Sequence, residues 1–365
     1  MIASQFPELL LSLTLQCTFV LAVTLVLALQ APTSDIADRI WSRGHLYVLL
    51  LCLAAILLPH VRLIQTDGMM AVMSQIAHSA RFSSIVAVLF RVWLVGVTML
   101  VFTTLWSLCR TTLMVRNAVK FSMQPARSGF TLGSEETRRI LKSLNIKVLW
   151  SEQGSVPFCW QLHSPVIVLP EVLSSFPADE LDAVLRHELA HLQSQHPLKL
   201  FLQRLVEIGF WFHPLVWATS REASLQRELA SDRLANQSPS QVAVFLKGMV
   251  RLSDFCRGRT SELAAGMGFG GHGRSMIQRR VDQLLSLDGS PRQTPQNHRV
   301  VSAVLMMAAI LASTVWVPLN AQATGRTLFS PWPGLSASIL HELGISVRDY
   351  EVDTHRLLEH EHDAE

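Results

Sequence analysis

The chain has 365 residues, of which 49% are hydrophobic and only 16% are charged, whereas an average soluble protein has roughly 25% charged residues. The formal net charge of +3 is small for this length, and no segment combines clustered Lys and Arg with stacking aromatic residues. The composition therefore argues against direct nucleic-acid binding and favours a membrane protein.

Four apolar stretches have, or nearly have, the roughly 20 residues that a transmembrane helix needs to cross a bilayer core. They are Leu9–Leu29, Leu46–Leu58, Ser84–Leu108 and Val300–Leu319. The second reaches the required length only if residues beyond Pro59 are included. The first lacks the basic segment of a cleavable signal peptide, so we expect it to remain in the mature chain. The stretches predict a multi-pass α-helical membrane protein, the alternative for each being a buried globular helix.

The Lys and Arg residues beside these stretches predict their orientation, because such residues are retained on the cytoplasmic side. Most lie in the first loop, after the third span or before the fourth: Arg39, Arg43, Arg110, Arg116, Lys120, Arg127, Arg292 and Arg299. We therefore expect both termini to lie outside. Arg62 and Arg81, at the ends of the second loop, argue weakly against this orientation.

The pattern divides the chain into four predicted parts. Residues 1–108 form three transmembrane helices with short loops, 109–299 a cytosolic domain, 300–319 a fourth transmembrane helix and 320–365 a short extracytoplasmic tail.

Two short strands and several helices are predicted within the cytosolic domain. The segments Ile146–Trp150 and Pro165–Leu169 are rich in β-branched and large apolar residues, which is typical of strands. A helix is expected to begin near Pro177, because a proline followed by two acidic residues suits a helix N-terminus. The apolar segment Leu198–Trp217 is interrupted by charges and predicts a buried or membrane-resting helix, and a polar-faced helix follows from Ser220.

The helix that begins near Pro177 contains an HExxH motif, from His187 through Glu188 to His191. Residues at i and i+4 share one helix face, so both imidazoles could bind one Zn²⁺ with Glu188 beside them. A zinc ion in such a site polarises a carbonyl and lowers the pKa of a water, whose proton the glutamate can accept. The motif predicts a zinc peptidase centre, the alternative being two surface histidines on an amphipathic helix.

A catalytic zinc usually has three protein ligands, so one further ligand is required. We favour Glu228, on a separate helix that follows a turn at Pro214 and can fold back against the first. Glu222 is a weaker rival. His196 and His213 each precede a proline, and a capping or packing role is favoured for both.

Asp232 lies one helical turn after Glu228. A carboxylate in that position could orient a ligating imidazole. The alternative is a solvated carboxylate or a salt bridge with Arg227 or Arg233.

Several motifs together resemble the BlaR/MecR-type membrane metallopeptidases, the antirepressor signal transducers of bacteria. They are Ser164–Pro170 (SPVIVLP), Ala178–Leu192 (ADELDAVLRHELAHL), Phe210–Trp217 (FWFHPLVW) and Arg227–Asp232 (RELASD). The resemblance implies a chain in the bacterial cytoplasmic membrane with an inserted α+β gluzincin-like metallopeptidase domain. It also implies one catalytic Zn²⁺ bound by His187, His191 and Glu228, with Glu188 as general base.

The same resemblance implies a protein substrate that is cleaved in the cytosol, either the chain itself or a transcriptional repressor. An extended substrate peptide could pair with the strand Pro165–Leu169 if that strand formed a sheet edge. None of the five lysines has a serine three residues earlier, so the SxxK pattern of a covalent β-lactam sensor is absent. The alternatives are a quality-control or processing peptidase of the HtpX type, and a receptor or scaffold that keeps zinc for structure.

Overall fold

The computed structural model describes residues 2–61, 80–122, 133–152, 156–161, 164–259, 272–286, 298–317, 329–330 and 332–348. The described part is mostly helical. Its helices are α1 (Ile2–Leu29), α2 (Ser34–Leu57), α3 (Ala80–Ser122), α4 (Glu135–Ser143), α5 (Ala178–Gln193), α6 (His196–Gly209), α7 (Pro214–Ala235), α8 (Pro239–Arg259), α9 (His272–Leu285), α10 (His298–Ser313) and α11 (Gly334–Glu342). The strands are β1 (Lys147–Ser151), β2 (Phe158–Trp160) and β3 (Val166–Pro170).

Three of these helices are long and apolar enough to cross a bilayer: Phe6–Leu29, Ser34–Leu57 and Ser84–Lys120. The prediction that Arg39 and Arg43 lie in the first loop is wrong, because both are in the first three turns of α2. Thr33 precedes the helix in an extended conformation and Asp35 lies in its first turn, where an acidic side chain favours a helix N-terminus. The chain between α1 and α2 is therefore only four residues long.

Helix α3 extends 14 residues beyond the predicted end of the third span at Leu108. Its last turns pack Val115 and Ala118 against Leu149 of β1 and Val166 of β3. Helix α3, one of the helices suited to cross a bilayer, therefore continues into the contact with the sheet. The fourth predicted span is helical only over His298–Ser313, which is shorter than a bilayer crossing requires, and its crossing of the membrane stays a prediction.

The three strands form one sheet in the order β1-β3-β2. Strand β1 pairs with β3 in parallel, with Lys147 opposite Val166, and β2 pairs with β3 in antiparallel, with Phe158 opposite Val168. The two predicted strands are confirmed to within one residue. The idea that Pro165–Leu169 forms a sheet edge is wrong, because β3 is paired on both sides.

Strand β3 lies between two layers of helix. Ile167 and Leu169 are fully buried against the apolar side of α5, which includes Leu185. Val166 and Val168 point the other way, towards α3, because successive side chains of a strand face opposite sides of the sheet. A strand that is buried on both faces has a continuous run of apolar residues. This run is the pattern by which β3 was predicted from the sequence.

Helices α6 and α7 pack against the three helices that are suited to cross a bilayer. Val206 and Phe210 join a buried cluster with residues of α1 and α2. The Trp93 indole of α3 donates to the Gly209 carbonyl at 3.1 Å. Trp211 fits against α3 only because Gly96 has no side chain, since a Cβ there would lie 2.2 Å from the indole ring. The segment predicted as a buried or membrane-resting helix thus contacts α1, α2 and α3, and it has a break before Pro214.

Candidate metal centre

The HExxH motif lies in the last two turns of α5. This helix begins after Pro177, has Asp179 and Glu180 in its first turn and buries His187 and Glu188. The i, i+4 spacing brings the histidines together on one face, with the Nε2 atoms of His187 and His191 3.1 Å apart. The ring of His187 also stacks on Phe245 of α8, with centroids 5.3 Å apart. This packing helps to hold the His187 ring in one orientation.

Helix α7 crosses α5 and brings the Glu228 carboxylate to the same point. Its Oε2 lies 3.7 Å from Nε2 of His187, and its Oε1 lies 3.6 Å from Nε2 of His191. One ligand atom of each residue falls within 4.8 Å of the others, and this is the cluster of potential metal ligands found among the described residues.

These distances fit a zinc ion. Two donors that are each 2.0–2.1 Å from a tetrahedral ion lie roughly 3.3 Å apart, close to the separations of 3.1 to 3.7 Å between the three side chains. Two imidazole nitrogens and one carboxylate form a donor set that is typical of a catalytic zinc site with a free fourth position.

A second carboxylate and an arginine lie directly behind the three side chains. Oδ1 of Asp232 is 3.0 Å from Nδ1 of His187, the ring nitrogen that faces away from the cluster. Arg280 of α9 donates two hydrogen bonds to Asp232, at 2.7 and 2.8 Å, and its Nη1 is 3.1 Å from Oε2 of Glu228. Asp232 is only 1% exposed, so its charge is balanced by His187 and Arg280 rather than by water.

The electrostatics of the site favour an ionised Glu228 and a carboxyl at Glu188 that can exchange a proton near neutral pH. Burial, and to a smaller extent the charge of Glu228, raise the pKa of Glu188 to about 7 against the opposing charge of His187. Burial also opposes ionisation of Glu228, but His187, His191 and Arg280 lower the pKa of Glu228 well below its usual range.

The pKa values of the two histidines are shifted in opposite directions. Burial tends to lower the pKa of His187, but Asp232 and Glu228 more than offset it and raise that pKa to about 10. Burial lowers the pKa of His191 to about 3. A metal ion bound by both side chains would require both imidazoles to be neutral, since metal ligands must be deprotonated.

The sequence profile described as BlaR1 peptidase M56 matches residues 10–238. The chain is also 30% identical over 245 residues to the regulatory protein BlaR1 of Bacillus licheniformis, an alignment that covers 66% of this chain and 39% of that protein. The chain belongs to the BlaR1 peptidase M56 family. Membership confirms the family resemblance and implies a membrane-associated metallopeptidase. The M56 match covers most of α1, all of α2, the sheet and the whole cluster of α5 and α7 side chains.

Two of the alternative metal ligands, Glu222 and His213, lie away from the cluster formed by His187, His191 and Glu228. Glu222 pairs with Arg279 at 3.2 Å, nearly two helical turns before Glu228. The Nε2 atom of His213 lies 2.8 Å from the hydroxyl of Thr18 in α1. His213 therefore helps to dock α7 on the first membrane helix, a packing role of the kind the sequence favoured.

His196 lies next to the cluster without joining it. Its Nδ1 is 2.8 Å from Nδ1 of His191, on the side opposite to Nε2. Gln195 makes this contact possible, because its left-handed conformation (φ 55°) ends α5 and turns the chain back. Burial lowers the pKa of His196, against the opposing effect of Asp38 in α2.

Arg280 is a residue of the site that the sequence analysis did not identify. The alternative role for Asp232, a salt bridge with Arg227 or Arg233, is not found: Arg227 donates to Gln203 at 2.5 Å, and Arg233 lies 3.7 Å from Asp35. Arg280 lies beyond residue 238, where the M56 match ends. In sequence it looks like a charge on the exposed face of an amphipathic helix, and no local pattern distinguishes it from its neighbour.

Proposed function

We propose that the chain is a zinc-dependent endopeptidase of the membrane, with His187, His191 and Glu228 as metal ligands and Glu188 as general base. The observation that carries this proposal is the convergence of two Nε2 atoms and one carboxylate from two helices, at separations that suit a tetrahedral ion. Zinc in such a site supplies Lewis acidity towards a peptide carbonyl and lowers the pKa of a water.

The remaining side chains have separate tasks in this proposal. Glu188, the buried carboxylate between the two histidines of the motif, accepts a proton from the attacking water and passes it to the leaving amine as a general base and acid. Asp232 holds the His187 ring so that Nε2 faces the metal, as an outer carboxylate does for many zinc-bound imidazoles. Arg280 keeps Asp232 and Glu228 ionised and fixed in place.

An extended substrate segment would pair with β2 rather than with β3. Strand β2 is at one edge of the described sheet, and it packs against the motif helix α5. An exposed strand edge offers main-chain groups to an extended peptide whatever its side chains are. This arrangement would lay a peptide bond of a protein substrate across the metal centre.

The proposed biological role is signalling across the bacterial cytoplasmic membrane by cleavage of the chain itself or of a cytosolic repressor. It is supported by three helices that are suited to cross a bilayer and by the similarity to a protein named as regulatory. The alignment covers only about two fifths of that relative, so substrate and partners are part of the proposal. We also propose that the peptidase domain is cytosolic and both termini lie outside.

Metal removal tests this function directly. We expect the full chain in lipid nanodiscs to retain about one zinc per chain and to cleave itself or a co-expressed repressor. A chelator should abolish cleavage and added Zn²⁺ should restore it, because the metal is required for the reaction and not for the α5–α7 packing. Zinc retention without cleavage of either substrate would favour the scaffold alternative, and cleavage of many unfolded membrane proteins would favour the HtpX-type alternative.

A further inference from the structure

The two histidines of the metal centre have different supports for their outer ring nitrogens. Nδ1 of His187 faces a carboxylate of α7, Asp232. Nδ1 of His191 faces another histidine instead, His196 at 2.8 Å, with the hydroxyl of Ser231 3.2 Å away. The partner of the outer nitrogen fixes the tautomer and the ring orientation of a metal-bound imidazole. The support of His191 is therefore a separate feature of the site.

The contact between His191 and His196 determines which nitrogen of each ring carries the proton. Two nitrogens 2.8 Å apart must share one proton, since two lone pairs or two N–H groups would repel each other. His191 has to leave Nε2 free for a metal, so its Nδ1 carries the proton and donates to Nδ1 of His196. The proton of a neutral His196 then lies on Nε2.

A membrane helix supplies the group that favours this tautomer of His196. Oδ2 of Asp38, in the second turn of α2, is 3.4 Å from Nε2 of His196 and also pairs with the Lys199 ammonium. Asp38 and His196 are each only 3% exposed. A buried carboxylate in an apolar helix is costly without partners, and the partners His196 and Lys199 both lie in the first turn of α6.

We propose that Asp38 and His196 are positioning residues for the metal ligand His191, so that membrane helix α2 forms part of the support of the metal centre. This inference rests on the proposed metal site. It gives α2 a role beyond anchoring: the position of Asp38 decides whether the His191 ring is held with Nε2 towards the metal. A displacement of α2 relative to α6 would loosen one metal ligand without touching the motif helix.

The first test compares two substitutions of His196 in the full chain in nanodiscs. The amide oxygen of His196→Gln can still accept the proton of His191, whereas His196→Ala cannot. Competition with a chromophoric zinc chelator should show roughly 10–100-fold weaker zinc binding for the alanine variant, the usual loss when an outer partner is removed, and less than about threefold for the glutamine variant. The visible absorption of the Co²⁺-loaded protein should change only in the alanine variant.

A second variant removes the α2 contact without leaving an unpaired charge. Asp38→Leu combined with Lys199→Met makes the helix contact apolar, which membrane insertion favours. We expect wild-type unfolding temperature and roughly tenfold or greater loss of zinc affinity. Glu207→Gln is the matched control, because Glu207 is also buried on α6 and paired with an arginine, Arg204 at 2.6 Å, but does not contact the metal centre.

The outcomes separate this inference from the proposed metal site. Wild-type chain that binds no zinc would refute the site and the inference with it. Wild-type zinc binding that persists within twofold in His196→Ala and in the double variant would refute the inference alone, and would assign the support of His191 to Ser231. Equal losses of zinc affinity in His196→Gln and His196→Ala would also contradict the inference. They would show that the affinity depends on packing at position 196 and not on a hydrogen-bond acceptor.

Discussion

The substitution Glu188→Gln is expected to abolish peptide cleavage while leaving zinc bound. Glutamine keeps the volume of the buried side chain but cannot accept a proton, and loss of a general base typically slows a reaction roughly 10²–10⁴-fold. The three proposed ligands lie on other positions of α5 and α7, so the metal should remain. Zinc content and the appearance of cleavage fragments, measured side by side in wild type and variant, test this expectation.

Glu180→Gln is the matched control for that experiment. Glu180 is also a buried glutamate of α5, but it pairs with Arg251 of α8 at 2.8 Å and lies two turns from the motif. We expect it to reduce stability without changing the amount of zinc or the fragment pattern. Identical fragments in Glu188→Gln and wild type would show that Glu188 is not the base and would favour the non-catalytic alternative.

The parts of the fold that the sequence predicted are those determined by local patterns. The motif helix and strands β1 and β3 were found because apolar periodicity, a proline at the helix start and a doubly buried strand are each visible within about 15 residues. Strand β2 was missed because it has only three residues and exists through its pairing with β3. Because β2 pairs with β3, β3 is not at the edge of the sheet, where the sequence analysis had placed it.

The residues of the candidate site also fall into those that local patterns predicted and those that they did not. The two histidines and Glu188 lie in one helix, and Glu228 was reached by asking which acidic residue on a later helix could fold back. Arg280 and Asp38 could not be found, because their partners are far away in the sequence and each looks like an ordinary charge near a helix end. The first turns of α2 were predicted to be a loop, so the contact of α2 with His196, beside the candidate metal centre, could not be predicted.

The substitution Glu228→Ala is expected to weaken zinc binding by more than the roughly 10–100-fold that loss of an outer partner costs, because it removes one of three ligands. The fold should survive, since Arg280 keeps its two hydrogen bonds to Asp232. Glu222→Ala is the matched control: it removes a carboxylate of the same helix with 27% side-chain exposure, against 29% for Glu228. We expect Glu222→Ala to bind zinc as wild type does. Equal zinc affinity in both variants would exclude Glu228 as the third ligand and would require a ligand from another part of the chain or from the substrate.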